Sequence, residues 1–528
     1  MSEGVIRPAS PHCPPENDQR AVLAFLARPE AHGLREPPQR IDTHAAVVFL
    51  AGDEAYKIKR AVAYPYLDFS TLERRKAACE AEIRLNRPGA PEVYIDTVPI
   101  VCRDGALHIG GDGEIVEWAV HMRRFDPDAT LDRIAQEGGL DDDILADLVD
   151  RIVASHEHAP QHDGAAATDR IETLIHDNAA ALGAAPELFA GDRVSELEQT
   201  WLHAFKDVRA VLQERGRSGH VRRCHGDLHL RNIALIDRRP VLFDALEFDD
   251  RLATSDLLYD LAFLLMDLWE RGLQQPANAV LNRYLWQRND DSDIAACRAL
   301  PLFMSLRASI RAIVAVDALP HLADEAEIMR TKAQGRDYFE IAEACMKPAP
   351  PRLIAIGGLS GSGKTTVARC IAPGLGAPPG ALHLRSDIER KRIFNVSDTT
   401  RLPEAAYTQD VTEDVYAHLR RKAHLALSAR RSVIVDAVHD RTAERDLIES
   451  VASQAGAAFS GIWLEVEATR LIDRVTLRHG DASDADAEVV RGQLARQRDP
   501  SDWERIPAGG DPDAVCADVK KRLMDEQT

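Results

Sequence analysis

Residues 353–371 read LIAIGGLSGSGKTTVARCI, and this stretch decides the fold of the C-terminal part of the chain. The apolar run 353–356 predicts a buried strand, and 366–371 continues as a helical run. Between them lies the pattern GxxxxGK[ST]. Its glycines let backbone amides converge on phosphate oxygens, its lysine reaches the β and γ phosphates, and its threonine hydroxyl can bind Mg²⁺. The predicted nucleotide-binding residues are Gly358, Ser360, Gly361, Ser362, Gly363, Lys364, Thr365 and Thr366.

Two further strand patterns end in carboxylates, since residues 381–385 lead to Asp387 and residues 432–435 lead to Asp436. In an open parallel sheet the ligand crevice lies at the carboxyl ends of the strands, so both aspartates are expected to face the phosphate loop. Arg390 follows Asp387 by three residues, a spacing suited to holding a hydroxyl and a phosphate from one side of a helix. The alternative interpretation is an N-cap aspartate followed by a solvated arginine.

Three arginines recur at intervals of four, Arg470, Arg474 and Arg478, which places them on one face of a helix. Such a stripe could close over a triphosphate and stabilise the charge that develops during phosphoryl transfer. Acidic residues nearby, among them Glu465 and Asp473, would also suit an ordinary solvated surface. Both interpretations stay open at this point.

Residues 352–498 resemble the small P-loop kinases related to polynucleotide 5′-kinase, gluconate kinase and zeta-toxin kinases. The resemblance implies catalytic roles for the P-loop lysine and for Asp387, as the base that accepts the proton of the attacking hydroxyl. It implies that Arg390 holds the acceptor and that Asp436 holds the acceptor or the metal. Arg474 and Arg478 would form the lid over the nucleotide.

A second segment with phosphoryl-transfer chemistry lies at residues 224–235, CHGDLHLRNIAL, and is followed by Asp244 within 241–249, VLFDALEFD. Transfer to a hydroxyl needs a carboxylate at the nucleophile and oxygen ligands for Mg²⁺. The order and spacing predict Asp227 as catalytic base, with Asn232 and Asp244 as metal ligands. A polar loop followed by a chance strand-end aspartate is the alternative. His225 is expected to orient this loop.

This HGDxxxxN pattern resembles the aminoglycoside phosphotransferase branch of the protein-kinase-like fold. The resemblance implies an α+β domain in which a strand lysine contacts the nucleotide phosphates and pairs with a glutamate of the next helix. The hairpin pattern 47–59 and a helix through residue 86, opened by the capping pattern Ser70–Glu73, supply the candidates. Lys57 and Glu82 are the chosen pair. Lys59 and Glu80 stay open, since alternate strand residues share a face.

Composition limits the classes of partner and compartment. The chain has 528 residues and a net charge of −20, which disfavours nucleic-acid binding. No apolar run approaches the ~20 residues of a membrane span, and the first 20 residues carry proline and charge where a signal peptide would be apolar. Eight cysteines without a CxxC pair argue against zinc sites and redox dithiols, and favour buried free thiols. We therefore expect a cytoplasmic protein without a membrane partner.

The proline-rich segment 347–351 predicts a linker between an aminoglycoside phosphotransferase-like kinase domain, 1–346, and an α/β P-loop kinase domain with a parallel sheet, 352–528. The fused pair resembles bacterial proteins described as bifunctional aminoglycoside phosphotransferase and ATP-binding proteins.

The expected function is transfer of the γ-phosphoryl group of ATP, with Mg²⁺, to hydroxyls of small molecules by both modules. A nucleotide-controlled regulatory protein with one ATPase module, and a polynucleotide-end kinase in the P-loop module, are the alternatives. The sequence leaves open the acceptors, ATP against GTP at the P-loop, the activity of each module and the oligomeric state.

Overall fold

The computed structural model describes residues 18–43, 45–64, 67–477, 482–496 and 503–525. The chain divides into two compact units. The first unit contains the chain up to His162 together with Val221–Asp260, and the second contains Asp163–His220 together with the chain from Leu261 onward. The boundaries predicted at residues 346 and 352 stay a prediction, because this division follows packing and not the proline-rich segment.

The α-helices of the described residues are, in chain order, α1 (Gln19–Leu26), α2 (Leu72–Asn86), α3 (Leu131–Gln136), α4 (Asp142–His158), α5 (Gly164–Gly183), α6 (Gly191–Arg217), α7 (Asp250–Ala253), α8 (Leu257–Glu270), α9 (Gln274–Arg288), α10 (Asp291–Ala296), α11 (Leu300–Ala318), α12 (Glu325–Cys345), α13 (Lys364–Ile371), α14 (Ser386–Ile393), α15 (Gln409–Ser428), α16 (Thr442–Ala455), α17 (Ala468–Leu477), α18 (Ala487–Arg496) and α19 (Pro512–Asp525).

The strands are β1 (Gln39–Asp42), β2 (Ala46–Ala51), β3 (Glu54–Lys59), β4 (Ala63–Tyr64), β5 (Leu67–Asp68), β6 (Tyr94–Arg103), β7 (Ala106–Ile109), β8 (Glu114–Arg123), β9 (Val221–Arg223), β10 (Ile233–Ile236), β11 (Arg239–Leu242), β12 (Thr254–Asp256), β13 (Arg352–Gly357), β14 (Leu382–Arg385), β15 (Val433–Asp436), β16 (Ala458–Glu465) and β17 (Glu504–Pro507).

The first unit is built on a six-stranded antiparallel sheet in the order β1-β2-β3-β8-β6-β7. The predicted hairpin is confirmed, since β2 and β3 pair antiparallel with Val48 opposite Lys57. One face of the sheet is apolar, and Val47, Phe49 and Ile58 are buried there with residues of α1. The period-two alternation of β3 turns its lysines toward the opposite face.

The predicted helix through residue 86 is confirmed, but its cap is Thr71 and not Ser70. The Thr71 hydroxyl accepts from the Arg74 backbone amide at 3.4 Å. Ser70 is engaged elsewhere, because its hydroxyl and its amide both donate to Asp68, at 2.6 and 3.0 Å. A turn that ties Ser70 back to Asp68 thus moves the start of α2 by one residue.

The second unit contains the predicted parallel sheet, which is confirmed with five strands in the order β14-β15-β13-β16-β17. The central strand β13 is almost wholly buried, which accounts for its continuous apolar run. At the carboxyl end, β13 runs into the phosphate-loop sequence and β15 ends at Asp436. The topology therefore brings the predicted P-loop residues to one edge of the sheet.

Long helices make up the rest of the second unit, with α5 packed on α6 and α11 on α12. One helical segment of the described chain, Asp291–Ala318, is long and apolar enough to cross a membrane, but 67% of its apolar window is buried within the protein. Core helices pass the same test. Among the cysteines of the described residues, six are free thiols and Cys102 is disulfide-bonded, which departs from the expectation of free thiols throughout.

Candidate active sites

The strand lysine of the first unit lies between two carboxylates. Lys57 Nζ is 3.0 Å from Glu82 Oε1 and 2.5 Å from Asp244 Oδ1. Burial disfavours the charged amine, but Asp244, Glu82 and Glu247 outweigh that effect and raise the pKa of Lys57. The lysine is therefore a fixed cation beside the predicted metal ligand, Asp244.

A second lysine, Lys59, belongs to the same network of ion pairs. Lys59 Nζ is 2.5 Å from Glu82 Oε2 and also contacts Glu247. Glu80 lies outside this network, since it is exposed and pairs with Lys76 at 3.7 Å. Glu82, whose side chain is fully buried, is thus the glutamate that meets the lysines. Of the two lysines, Lys57 is the one in contact with Asp244.

The predicted catalytic loop is held by its own side chains. Asn232 Nδ2 donates to the backbone oxygen of Asp227 at 3.0 Å and to its carboxylate at 2.9 Å. His225 donates from Nε2 to the Phe243 oxygen, and its Nδ1 accepts from the Asp227 amide. Burial lowers the pKa of His225, which keeps the ring neutral and suits the orienting role expected for it. Asp260 Oδ1 accepts from the Gly226 amide at 2.7 Å.

Asp244 occupies an unusual backbone conformation at the end of β11, with φ of +59°. The left-handed region costs a non-glycine residue roughly 1–2 kcal/mol, so surrounding contacts must hold it. Its amide donates to Tyr94 Oη at 3.0 Å, and the next amide, of Ala245, donates to Asn86 Oδ1 at 2.7 Å. The turn is therefore fixed by β6 and α2.

Asp244 is the carboxylate of this site best placed to meet a divalent cation, since Glu82 and Glu247 are buried against the lysines. Carboxylate oxygens of Glu82, Asp244 and Glu247 lie within 4.8 Å of one another. Asp244 is the accessible member, with 39% of its side chain exposed. The amide nitrogen of Asn232 makes the bonds to Asp227, so the amide oxygen is the atom that could bind a cation. Carboxylate and amide oxygens are the ligand types that Mg²⁺ takes.

The phosphate-loop sequence forms a loop that tolerates only glycine at key points. Gly358, Gly361 and Gly363 all have positive φ, of +137°, +88° and +92°. A Cβ on Gly358 would lie 2.7 Å from Ser362 Oγ and 2.9 Å from the Leu464 oxygen. Ser362 Oγ is buried and has no hydrogen-bond partner among the described residues. A cradle of glycines with an unsatisfied hydroxyl at a helix start fits a phosphate group.

The other P-loop side chains surround this cradle. Lys364 Nζ contacts the Gly358 and Leu359 oxygens, at 2.9 and 3.1 Å. Ser360 exchanges hydrogen bonds with Gln493, which accepts from the Ser360 amide and donates to its hydroxyl. Thr366 lies in the first turn of α13.

The P-loop threonine meets the aspartate at the end of β15. Thr365 Oγ1 donates to Asp436 Oδ2 at 2.6 Å. His383 Nε2 lies 3.3 Å from the same oxygen, and Arg385 Nε lies 3.9 Å from it. Burial would raise the pKa of Asp436, but His383, Lys364 and Arg385 overcome it and lower that pKa below its usual range. A hydroxyl beside a carboxylate whose pKa is lowered supplies two oxygen donors of the kind that Mg²⁺ takes.

The predicted acceptor residues lie on α14, which directly follows β14. Asp387 is in the first turn of that helix. Arg390 is buried, donates to the Ala406 oxygen at 2.6 Å and stands over the Tyr407 ring at 4.8 Å. Tyr407 in turn donates to Asp484 at 2.6 Å. Arg390 is therefore buried and hydrogen-bonded within the protein, which excludes the alternative of a solvated arginine. Its binding of an acceptor stays a prediction.

The arginine stripe lies partly outside the described residues, since Arg478 is not among them. Arg474 Nη1 donates to the Gly361 oxygen at 3.3 Å and to the Ala508 oxygen at 3.2 Å, so it contacts the phosphate loop itself. Arg470 donates to the Gly509 oxygen. The stripe therefore joins the P-loop to the segment after β17, and a role as a lid stays a prediction.

Sequence reasoning missed several residues that hold both sites together. In the first unit they are the bracing residues Asn86, Tyr94, Glu247 and Asp260, and in the second they are His383, Arg385 and Gln493. Glu247 could have been suspected from its place three residues after Asp244. The others carry no local signal, because their partners are 34 to 159 residues away in sequence.

Two family models match the chain. Residues 99–300 match the phosphotransferase enzyme family, and residues 353–500 match an AAA domain. These matches confirm the resemblance stated from the sequence and the fold class, a phosphotransferase-type kinase region followed by a P-loop domain. The chain therefore contains two kinase-like modules.

Similar proteins extend over almost the whole chain. Uncharacterized proteins of Mycobacterium bovis and Mycobacterium tuberculosis are 29% identical over 493 residues, covering 91% of this chain and 95% of their own. A choline/ethanolamine kinase family protein from Mesorhizobium loti is 15% identical, covers 62% of this chain and 98% of its own, and has a TM-score of 0.36. A gluconokinase from Sinorhizobium meliloti is 19% identical, with coverages of 34% and 99% and a TM-score of 0.25.

Proposed function

We propose that this chain carries two ATP-dependent phosphotransferases, each transferring a γ-phosphoryl group to a hydroxyl of a small molecule. The observation that carries the proposal is the convergence of Lys57, Glu82 and Asp244 in the first unit. A buried glutamate that fixes a lysine next to a metal-binding carboxylate is the arrangement that phosphoryl transfer needs for positioning and charge neutralisation.

In the first module, Asp227 accepts the proton of the acceptor hydroxyl as that oxygen attacks the γ-phosphorus, and the bond from this phosphorus to the β–γ bridging oxygen breaks to release ADP. Asn232 orients the Asp227 carboxylate, and Lys57, fixed by Glu82, neutralises phosphate charge. Asp244 and the Asn232 amide oxygen would hold Mg²⁺. When bound there, the ion supplies positive charge to the phosphates.

In the second module, the backbone amides of 358–365 bind the phosphates and Lys364 contacts the terminal ones. Thr365 and Asp436 are the groups that would hold Mg²⁺. Of the two roles expected for Asp436, metal binding and acceptor binding, we assign metal binding. Asp387, at the start of α14, accepts the proton of the acceptor hydroxyl. Arg390 binds the acceptor, and Arg474 binds the nucleotide. Arg478 would extend the stripe of Arg474.

The finer assignments belong to the same proposal. We assign ATP as the phosphoryl donor, a cytoplasmic location and small hydroxylated metabolites as acceptors, with neither nucleic acid nor membrane as partner. The modules correspond to residues 1–346 and 352–528, joined by 347–351. The net charge of −20 supports the exclusion of polyanions, which such a surface repels.

A metabolite-pool screen for ATP-dependent phosphorylation tests the proposal, with the unmodified chain, Asp227→Asn and Lys364→Ala compared side by side. We expect each variant to lose its own set of phosphorylated products and to keep the other set. If only one substitution removes products, the other module is regulatory. If neither removes any, both site assignments are wrong.

A further inference from the structure

Helix α9, which belongs to the helical region preceding the proline-rich segment, packs against the edge of the P-loop sheet. The strand it covers is β14, the outermost strand on that side. An uncovered edge strand would present unpaired backbone amide and carbonyl groups. All of these residues lie within the second compact unit.

Polar side chains of α9 bind the backbone leading into β14 and within it. Asn282 Oδ1 accepts from the His383 amide at 2.6 Å, and Asn282 Nδ2 donates to the Ala381 oxygen at 3.3 Å. Trp286 Nε1 donates to the His383 oxygen at 3.0 Å. Both backbone groups of His383 are thus held by α9. Asn278 adds bonds to the oxygens of Pro379 and Ala381, each at 3.0 Å.

The side chain of the same histidine reaches the P-loop site. His383 is buried, and its Nε2 lies 3.3 Å from Asp436 Oδ2, the oxygen that also accepts from Thr365. Trp286 lies 6.0 Å from the His383 ring, edge to face, and its ring lies 5.8 Å from the Arg385 guanidinium. A continuous set of contacts therefore runs from α9 through His383 to Asp436 and Thr365.

A second set of contacts joins the same helical region to the helix that carries Asp387. Lys422 of α15 donates to Glu389 of α14 at 2.7 Å and to Asn289 Oδ1, just after α9, at 3.2 Å. The Lys422–Glu389 pair is buried. The strand on the acceptor side of the P-loop is therefore held directly by α9, and the helix after it is linked to Asn289 through Lys422.

We propose that Trp286 and Asn282 of α9 are positioning residues of the P-loop site, and that they act through His383 to hold Asp436 for its metal role beside Thr365. This inference rests on the proposed function of the P-loop module. Partners that orient a metal-binding carboxylate change metal affinity or activity by about 10–100-fold when removed. The helical region of the first kinase-like module is then a structural component of the second active site.

The test uses full-length chains that carry Asp227→Asn, so that only the P-loop module can transfer phosphate. In this background we compare His383→Leu, His383→Gln and Trp286→Phe. ATP binding is measured by calorimetry with Mg²⁺ and with a chelator. ATP turnover is measured against Mg²⁺ concentration in the presence of the metabolite pool, which supplies the acceptor. The P-loop component of binding is identified by its loss in Lys364→Ala.

His383→Leu is expected to raise the Mg²⁺ concentration for half-maximal turnover about 10–100-fold and to weaken the Mg²⁺ enhancement of ATP binding equally. Binding without Mg²⁺ should stay within about twofold, because the phosphate cradle is untouched. His383→Gln keeps an N–H donor and should therefore keep most of the Mg²⁺ affinity that His383→Leu loses. Trp286→Phe should shift the same quantities in the same direction by a smaller factor.

Trp201→Phe is the matched control, because Trp201 is buried in the same helical region and its Nε1 donates to Ser305 Oγ at 2.7 Å, away from the P-loop. It should leave the Mg²⁺ dependence unchanged. The inference is overturned if His383→Leu and Trp286→Phe match this control, or if they weaken metal-free ATP binding as strongly as Mg²⁺-dependent binding. Mg²⁺-dependent ATP binding without turnover in the Asp227→Asn background would instead refute the proposed P-loop activity, while the binding data still decide this inference.

Discussion

At the scale of single residues, Gly226 makes the catalytic loop of the first module possible. Its φ is +82°, and a Cβ there would lie 3.0 Å from the Leu246 Cβ and 3.3 Å from the Ala253 Cα. Gly226→Ala should therefore displace the neighbouring Asp227. A shift of about 1 Å in a catalytic group can cost ~100-fold in rate, so we expect a loss of that order in first-module turnover.

The matched control for this substitution is Gly138→Ala. Gly138 has a similar φ of +75° but has nothing within 4 Å of the added methyl group. Backbone strain alone should lower its free energy of unfolding by roughly 1–2 kcal/mol without changing turnover. Equal first-module turnover in Gly226→Ala and Gly138→Ala would show that the position of Asp227 does not depend on the absence of a Cβ at Gly226.

At this scale, the sequence predicts which side chains lie near one another best within a continuous motif. The HGDxxxxN and GxxxxGK[ST] patterns place Asp227 near Asn232 and Thr365 at the start of a helix because short loops fix their own geometry. Sequence spacing could not choose between Lys57 and Lys59, since both lie on one face of β3. The choice depends on Asp244, 187 residues from Lys57, whose place only tertiary packing determines.

At the scale of elements, α5 and α6 cross at a contact that admits only glycine. A Cβ on Gly164 would lie 2.0 Å from the Gly216 Cα, and a Cβ on Gly216 would lie 2.7 Å from the Gly164 Cα. The obstructing atoms are backbone, so no rotamer change relieves the clash. Gly216→Ala should lower the free energy of unfolding by about 1–3 kcal/mol, measured by chemical denaturation.

Gly183→Ala on α5 is the corresponding control, because nothing lies within 4 Å of its added methyl group. It should leave stability unchanged or raise it by up to about 1 kcal/mol, since alanine is the better helix former. If Gly216→Ala and Gly183→Ala had the same free energy of unfolding, the close contact between α5 and α6 at Gly164 and Gly216 would be contradicted.

Element prediction was strongest where periodicity and turn residues agreed, as in the β2–β3 hairpin and the β13–loop–α13 unit. Helix α2 begins one residue later than predicted, because Ser70 donates to Asp68 and Thr71 caps the helix instead. The role of α9 could not be anticipated. Its asparagines and tryptophan look like ordinary polar positions of a helix until β14, about 100 residues later, lies against them.

At the scale of the whole molecule, the sequence divides at a proline-rich segment, whereas packing groups the helices 163–220 and 261–345 with the P-loop sheet. A linker pattern identifies where the backbone cannot be helical, but it carries no information on which surfaces associate. The buried amide and indole contacts of α9 explain why these helices and the P-loop sheet form one compact unit. The two active sites nevertheless keep separate sets of residues, one in each unit.

The central claim is that one chain contains two nucleotide sites, and the number of ATP molecules bound per chain tests it most directly. Equilibrium dialysis with a non-hydrolysable ATP analogue and Mg²⁺ measures that number. We predict two per unmodified chain and one per Lys364→Ala chain. One per unmodified chain, falling to none in Lys364→Ala, would contradict the account.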